Sequence, residues 1–381
     1  MKCALYVFID AFGWELLRST SFLEDMLHVR QPVETIFGYS STCDPTILTG
    51  VLPREHGHFS FYVYDPDHSP FRPLKALALL PSRLTDRGRV RRVLSRWLQR
   101  RLGYTGYFQL YAVPFRWLPL FDYTEKRDLY QPGGIIGGQP TVFDFLRQEG
   151  IPFYLSDWRL PEPQNLEAAA SALRSGRPRF VYLYLAAMDA VLHADGCGAP
   201  SVMRKIAWYA EQLTALLKAA SAYDDVRITV FSDHGMTDVR QLTDPISTLE
   251  RAGFRLADDY MAMFDSTMAR FWFLKPDVRS RIEQVMETCE GGAWVDDATL
   301  ASWGCDFPQH RYGEAFWVCD PHVLLCPSFM GLTPLKGMHG YRPTHRDSTA
   351  MLCRNTPDGP LPRRLDSMYA LMRHDIQWAV T

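Results

Sequence analysis

Residues 227–236 read RITVFSDHGM, a short run of β-branched and aromatic side chains followed by an acid, an imidazole and a glycine. The run is rich in β-branched and aromatic residues and too short for a helix, which is the pattern of a buried strand. Four further runs look alike: ALYVFID (4–10), PVETIF (32–37), PFYLSDW (152–158) and RFVYLYLA (179–186). Between them, TVFDFLRQEG (141–150) and SVMRKIAWYAEQLTALLKAA (201–220) carry apolar residues at helical spacing. This alternation predicts an α/β fold with a mainly parallel central sheet and helices on both faces.

Working outward, two stretches break the pattern. Residues 66–134 are rich in proline, arginine and aromatics, and residues 256–335 hold strand-like runs between glycine and proline turns. We expect residues 1–65, 135–255 and 336–381 to form the catalytic core, with 66–134 and 256–335 as inserted caps. Within the first cap, residues 83–101 predict a basic amphipathic helix, with Val90, Val93, Leu94, Trp97 and Leu98 at helical spacing among eight arginines that include Arg83. Such a helix docks on the core, clamps an anionic substrate or makes a peripheral contact with anionic membrane. The aromatics of 103–123 either pack in a core or wall a pocket for an apolar leaving group.

Composition sets only broad bounds. With 381 residues and 47% hydrophobic content, the chain can bury a large core, and a net charge of -2 gives no reason to expect a nucleic-acid partner. The apolar run before Asp10 is too short for a signal peptide, and no run approaches a membrane span. Eight scattered cysteines without C-x-x-C spacing suit buried thiols in a reducing compartment, with one or two disulfides as the alternative, so a cytoplasmic location is expected.

Chemistry-bearing residues fall at the carboxyl ends of the predicted strands, where sites of open α/β sheets gather. Asp10 ends the first strand and Ser40 follows the second. Asp189 and His193 follow RFVYLYLA at a spacing that places both on one face of a helix, and Asp233 with His234 ends RITVFSD. His339 sits between glycines in KGMHGYRP. Taken singly, each residue also fits a plainer role, the acids and serine as helix caps and the histidines as loop or packed side chains.

The order D…S-(x)8-T-G-x-x-P-x-x-H-G…D-x-x-x-H…D-H-G-M…G-x-H-G-Y, from Asp10 to Tyr341, resembles the nucleotide pyrophosphatase/phosphodiesterase branch of the alkaline phosphatase superfamily. The resemblance implies two Zn2+ ions, or other divalent metals, one held by Asp189, His193 and His339 and one by Asp10, Asp233 and His234. It implies Ser40, nine residues before Thr49, as a nucleophile that also touches the second ion, with Ser41 and Thr42 as neighbouring rivals. The expected reaction is cleavage of a phosphodiester or pyrophosphate through a phospho-serine intermediate, on a small phosphate ester or an anionic, lipid-like substrate. A phosphomonoesterase or phosphonate hydrolase on the same site is the alternative, and a metal-binding pseudoenzyme recognising an anionic ligand is an alternative of another class. Thr42 and Asp44 stand where the sulfatase branch needs proline and arginine. The asparagine that the family commonly carries after H-G is missing from HGHFSFYVYDP, which leaves His58, Ser60 or a cap arginine to hold the third phosphoryl oxygen.

Overall fold

The protein's structure is a computed structural model, which describes residues 1–81 and 85–381. Six strands form the central sheet in the order Val29–Val33, Ala350–Arg354, Asp225–Phe231, Lys2–Ile9, Phe180–Leu185, Phe153–Leu155. Lys2–Ile9 is parallel to both of its neighbours, whereas Ala350–Arg354 is antiparallel to both of its own. The sheet is therefore mainly parallel, with one reversed strand.

Alternate side chains of Lys2–Ile9 feed two cores. Cys3, Leu5, Val7 and Ile9 meet residues of the helices Glu162–Arg174 and Pro200–Ala219 on one face. Ala4, Tyr6 and Phe8 meet the helices Ser40–Thr49, Val142–Gln148 and Met368–Val380 on the other. A strand buried on both sides needs no polar face, which is why these runs read as continuous apolar sequence.

The second strand differs from the sequence expectation of 32–37. It spans Val29–Val33, at a sheet edge where the missing N–H of Pro32 disrupts no central ladder. At Glu34 the chain leaves the sheet, its amide bonding Arg363 O, and Thr35 Oγ1 donates to Asp233 O at 2.7 Å.

A separate antiparallel sheet, in the order Tyr260–Phe264, Met268–Phe273, Ala315–Cys319, Gly292–Val295, forms beside the first. Its core also takes in Tyr62, Phe71, Leu98, Phe108 and Phe121, so the two stretches that interrupt the α/β pattern pack against each other. Buried Arg270 joins this sheet to the HGHFS loop, pairing with Asp265 at 2.8 Å and donating to Ser60 Oγ at 2.8 Å and to Tyr62 O.

The arginine-rich helix spans Gly88–Leu102, and Arg83 lies outside the described residues. Its inward face differs from the expected apolar stripe. Leu98 is buried and Leu94 half-buried, but Val90, Val93 and Trp97 are 37%, 59% and 52% exposed. Arg91 is turned inward instead, because its guanidinium finds Thr85 O, Val113 O and Asp86 and lies 4.0 Å over the Phe115 ring. Among the described residues no helix is long and apolar enough to cross a membrane. All eight cysteines are free thiols, six of them buried.

Candidate metal centre

The carboxyl ends of the parallel strands deliver their side chains to one pocket. Asp10 leaves the end of Lys2–Ile9, and Asp233 and His234 leave Asp225–Phe231. Asp189 and His193 sit one turn apart on the helix Ala187–Asp195. Buried Glu162 accepts a bond from the Ala187 amide at that helix start (2.8 Å) and is itself held by Lys205 and Tyr209. Ser40 is the first residue of Ser40–Thr49, so its hydroxyl stands at the positive end of a ten-residue helix.

Glycine 235 follows His234 for a reason the sequence does not reveal. Its φ is not in the left-handed region; a Cβ there would lie 2.2 Å from Asp347 O, so the need is for close backbone approach. Gly340, next to His339, does adopt φ +86, and a Cβ there would strike the Tyr39 ring at 2.5 Å.

The geometry draws all seven predicted residues together. Asp189 Oδ1 lies 3.2 Å from His193 Nε2 and 3.6 Å from His339 Nε2. His234 Nε2 lies 3.0 Å from Asp233 Oδ2, 3.8 Å from Asp10 Oδ1 and 3.0 Å from Ser40 Oγ. The His234 and His339 rings stack with centroids 3.8 Å apart. Donor atoms of Asp189, His193 and His339 form one compact group and those of Asp10, Asp189 and His234 another, so Asp189 joins the two.

The outer atoms of two of the three imidazoles are fixed by the backbone, while His339 Nδ1 is buried without a partner among the described residues. His193 Nδ1 pairs with Gly337 O at 2.8 Å and His234 Nδ1 with Gly235 O at 2.9 Å, which leaves each Nε2 facing the pocket as a ligand atom. The hydroxyls of Ser41 and Thr42 both donate to Phe59 O, at 2.9 and 2.8 Å, whereas Ser40 Oγ faces His234.

Electrostatics show what the cluster lacks. Among the described residues, Asp10 Oδ1 is buried with no donor within hydrogen-bond distance, and Asp189 Oδ1 and Asp233 Oδ2 face only the ring nitrogens of His193 and His234 within it. The three carboxylates therefore share too little positive charge to be compensated by the protein alone. Burial, then the charges of Asp233 and Asp189, push the Asp10 carboxyl well above the usual carboxylate range. Burial disfavours a charged His234, but Asp233, Asp10 and Asp189 outweigh it and push the ring up to about 10. Burial and the neighbouring His234 and His193 hold His339 well below the usual imidazole range. Carboxylate oxygens and imidazole nitrogens converging on one point are the donor set of a divalent cation site.

Two residues of the site escaped sequence reasoning. Tyr184, in the strand Phe180–Leu185, donates to Asp10 Oδ2 at 2.6 Å. Asp44 lies one helical turn beyond Ser40 and lines the same pocket, with Oδ1 buried and unpartnered. Burial and the charge of Asp233 raise its pKa well above the ordinary value. An i to i+4 relation to Ser40 was the available signal for Asp44; an alternating strand gave none for Tyr184.

Two of the three candidates for the third phosphoryl oxygen, His58 and Ser60, are committed elsewhere. His58 is buried, with Nδ1 on Glu125 at 2.9 Å and Nε2 accepting from the Ile136 amide, and Ser60 Oγ bonds Asp265 and Arg270. The pocket measures about 490 Å3 and opens from the metal-type cluster toward Phe61, Tyr107, Tyr111, Trp158, Met330 and Leu335. Phe61 stacks on Tyr111 and Tyr123.

Fold and pocket together define an α/β protein with a metal-type centre at the carboxyl edge of its sheet. The chain belongs to the family described as Type I phosphodiesterase / nucleotide pyrophosphatase, whose pattern matches residues 4–290, and is thus a phosphoric ester hydrolase of a metal-dependent family. Among solved structures, the chain is similar to human ectonucleotide pyrophosphatase / phosphodiesterase 5, with a TM-score of 0.70, 14% identity and coverage of 98% of this chain and 95% of that one. It is equally similar to the murine protein in an inactive, threonine-to-alanine form in complex with AMP, with a TM-score of 0.70, 16% identity and coverage of 99% and 95%. A comparison with curated protein sequences finds no match.

Proposed function

We propose that the protein cleaves phosphodiester or pyrophosphate bonds with Ser40 as nucleophile, using two divalent ions, zinc by donor type. In this reading Asp189, His193 and His339 hold one ion, and Asp10, Asp233 and His234 hold the other beside Ser40. The observation that carries it is the position of Ser40 Oγ, 3.0 Å from His234 Nε2, beside the buried carboxylates of Asp10 and Asp233, of which Asp10 Oδ1 has no close donor among the described residues. When bound, such ions act as Lewis acids that ease ionisation of a hydroxyl and stabilise charge on phosphoryl and leaving oxygens.

The chain's own residues do the rest. Ser40 Oγ forms a bond to phosphorus as the bond to the leaving alcohol breaks, and the remaining phosphoryl group stays esterified to Ser40 until water displaces it. The helix start at Ser40 favours the negative charge of that group. Phe61, Tyr107, Tyr111 and Trp158 offer flat apolar walls to a bulky or aromatic leaving group. The AMP complex of the murine relative supports a nucleotide-type ligand among these. Purified protein supplied with zinc should hydrolyse aryl phosphodiesters faster than aryl monoesters, and Ser40→Ala should remove that activity while retaining metal. Faster turnover of monoesters would overturn the diesterase reading.

The arginine-rich helix favours a lipid-like substrate met at an anionic membrane. Val90, Val93 and Trp97 project outward at helical spacing, alongside the exposed Arg89, Arg92, Arg96 and Arg100. An apolar strip edged with arginines suits the boundary between headgroups and acyl chains of an anionic bilayer.

A further inference from the structure

A second cluster of ligand-type side chains lies outside the pocket. His322, His345 and Asp347 bring donor atoms within 4.8 Å of one another, all three half-buried. The residues come from two separate turns, so the grouping is made by tertiary structure.

Each member is set up to offer an atom. His322 occupies the left-handed region at φ 72, an uncommon conformation for a residue other than glycine. Its Nδ1 pairs with Asp238 O at 2.9 Å, and its carbonyl accepts from the Arg240 and Gln241 amides. That pairing fixes the ring and leaves Nε2 as the free nitrogen, the arrangement usual for a metal-bound imidazole. His345 packs edge-on to His322, ring centroids 6.0 Å apart, and its Nδ1 is buried with no hydrogen-bond partner. Asp347 completes the group; its one ion pair among the described residues, to Arg346 at 3.2 Å, involves a guanidinium that is 78% exposed and free to move into water.

We propose that His322, His345 and Asp347 form a third metal site, distinct from the pocket, that binds a first-row divalent cation of the zinc type. Two imidazole nitrogens and one carboxylate oxygen suit zinc and exclude a site built for calcium or magnesium, which take oxygen ligands. The cation's role is structural. Asp347 O abuts Gly235, and Ser348 O accepts the Gly235 amide at 3.0 Å, directly behind His234. On the other side, Asp238, whose carbonyl holds His322, pairs in a short ladder with Gly337, two residues before His339. A cation here ties together the two loops that carry His234 and His339.

The test is a count of zinc per chain after exhaustive removal of loose metal, by plasma emission spectrometry, for wild type, His345→Ala and Asp347→Asn, with circular dichroism confirming the fold of each. Both variants should hold one zinc fewer than wild type, and zinc should raise the unfolding temperature of wild type more than theirs. The difference of one is independent of how many ions the pocket takes, and His339→Ala should lower the pocket's share while leaving that difference in place. Equal zinc content in wild type and both folded variants would overturn the proposal.

Discussion

Tyr184→Phe tests the centre with the smallest change. The hydroxyl donates to Asp10 Oδ2 at 2.6 Å, a short bond to a carboxylate that is buried and 6% exposed. Hydrogen bonds to charged groups contribute about 1.5–3 kcal/mol net, because the acceptor has little water to fall back on. At roughly 1.4 kcal/mol per tenfold change, the loss corresponds to about 10- to 100-fold weaker metal binding, the range seen when a residue orienting a metal ligand is removed. The ring stays in place, since its removal is not part of the change, and the fold should be unaffected. Competition titration with a chromophoric chelator should resolve one weakened ion, that bound through Asp10, and one close to its wild-type affinity through Asp189, His193 and His339. Unchanged affinity for both ions, or an equal loss at both, would refute the placing of Asp10 as a ligand oriented by Tyr184.

The pH dependence has a definite sign. His234, pushed up against the effect of burial by Asp233, Asp10 and Asp189 from the ordinary imidazole value of 6.5 to about 10, gives stability that is complete below about 6.5 and is lost as pH rises through about 10. An ion bound at Nε2 must displace that proton, so metal affinity should rise with pH across the same window, with proton release measurable by calorimetry in buffers of different ionisation enthalpy. Below the sheet, buried Asp375 joins Arg354, Arg227 and the Tyr6 hydroxyl. Asp375→Ala should lower unfolding stability in urea by about 3–5 kcal/mol, because it strands a fully buried arginine, and should leave zinc content unchanged; a loss within about 0.5 kcal/mol would match an exposed site instead. Wild type should float with anionic but not zwitterionic vesicles, and Val93→Glu with Trp97→Glu should abolish that without altering hydrolysis of a soluble substrate.

What the sequence made legible was whatever a local pattern encodes. Buried strands such as RITVFSD and their terminal acids were readable because burial on both faces and loss of the ladder at the strand end leave a one-dimensional mark. The spacing of Asp189 and His193 likewise mapped onto one helical turn of Ala187–Asp195. Features set by tertiary contact were not readable. Arg91 took the inward place expected of an apolar side chain because the carbonyls of Thr85 and Val113 happened to meet it. The strand expected at 32–37 ended at Val33, beyond which the Glu34 amide turns away to Arg363 O. The roles of Tyr184 and the His322 turn arise only where distant segments meet, whereas Asp44 lay within reach of a local pattern, one helical turn from Ser40.

The most direct measurement of the central claim is the site of covalent modification during turnover. Protein quenched with acid while hydrolysing an aryl phosphodiester in the presence of zinc, then digested and sequenced by mass spectrometry, should carry the phosphoryl group on Ser40, with none in Ser40→Ala, which is also inactive. Full activity in Ser40→Ala, together with loss of activity in Ser41→Ala or Thr42→Ala, would contradict the account.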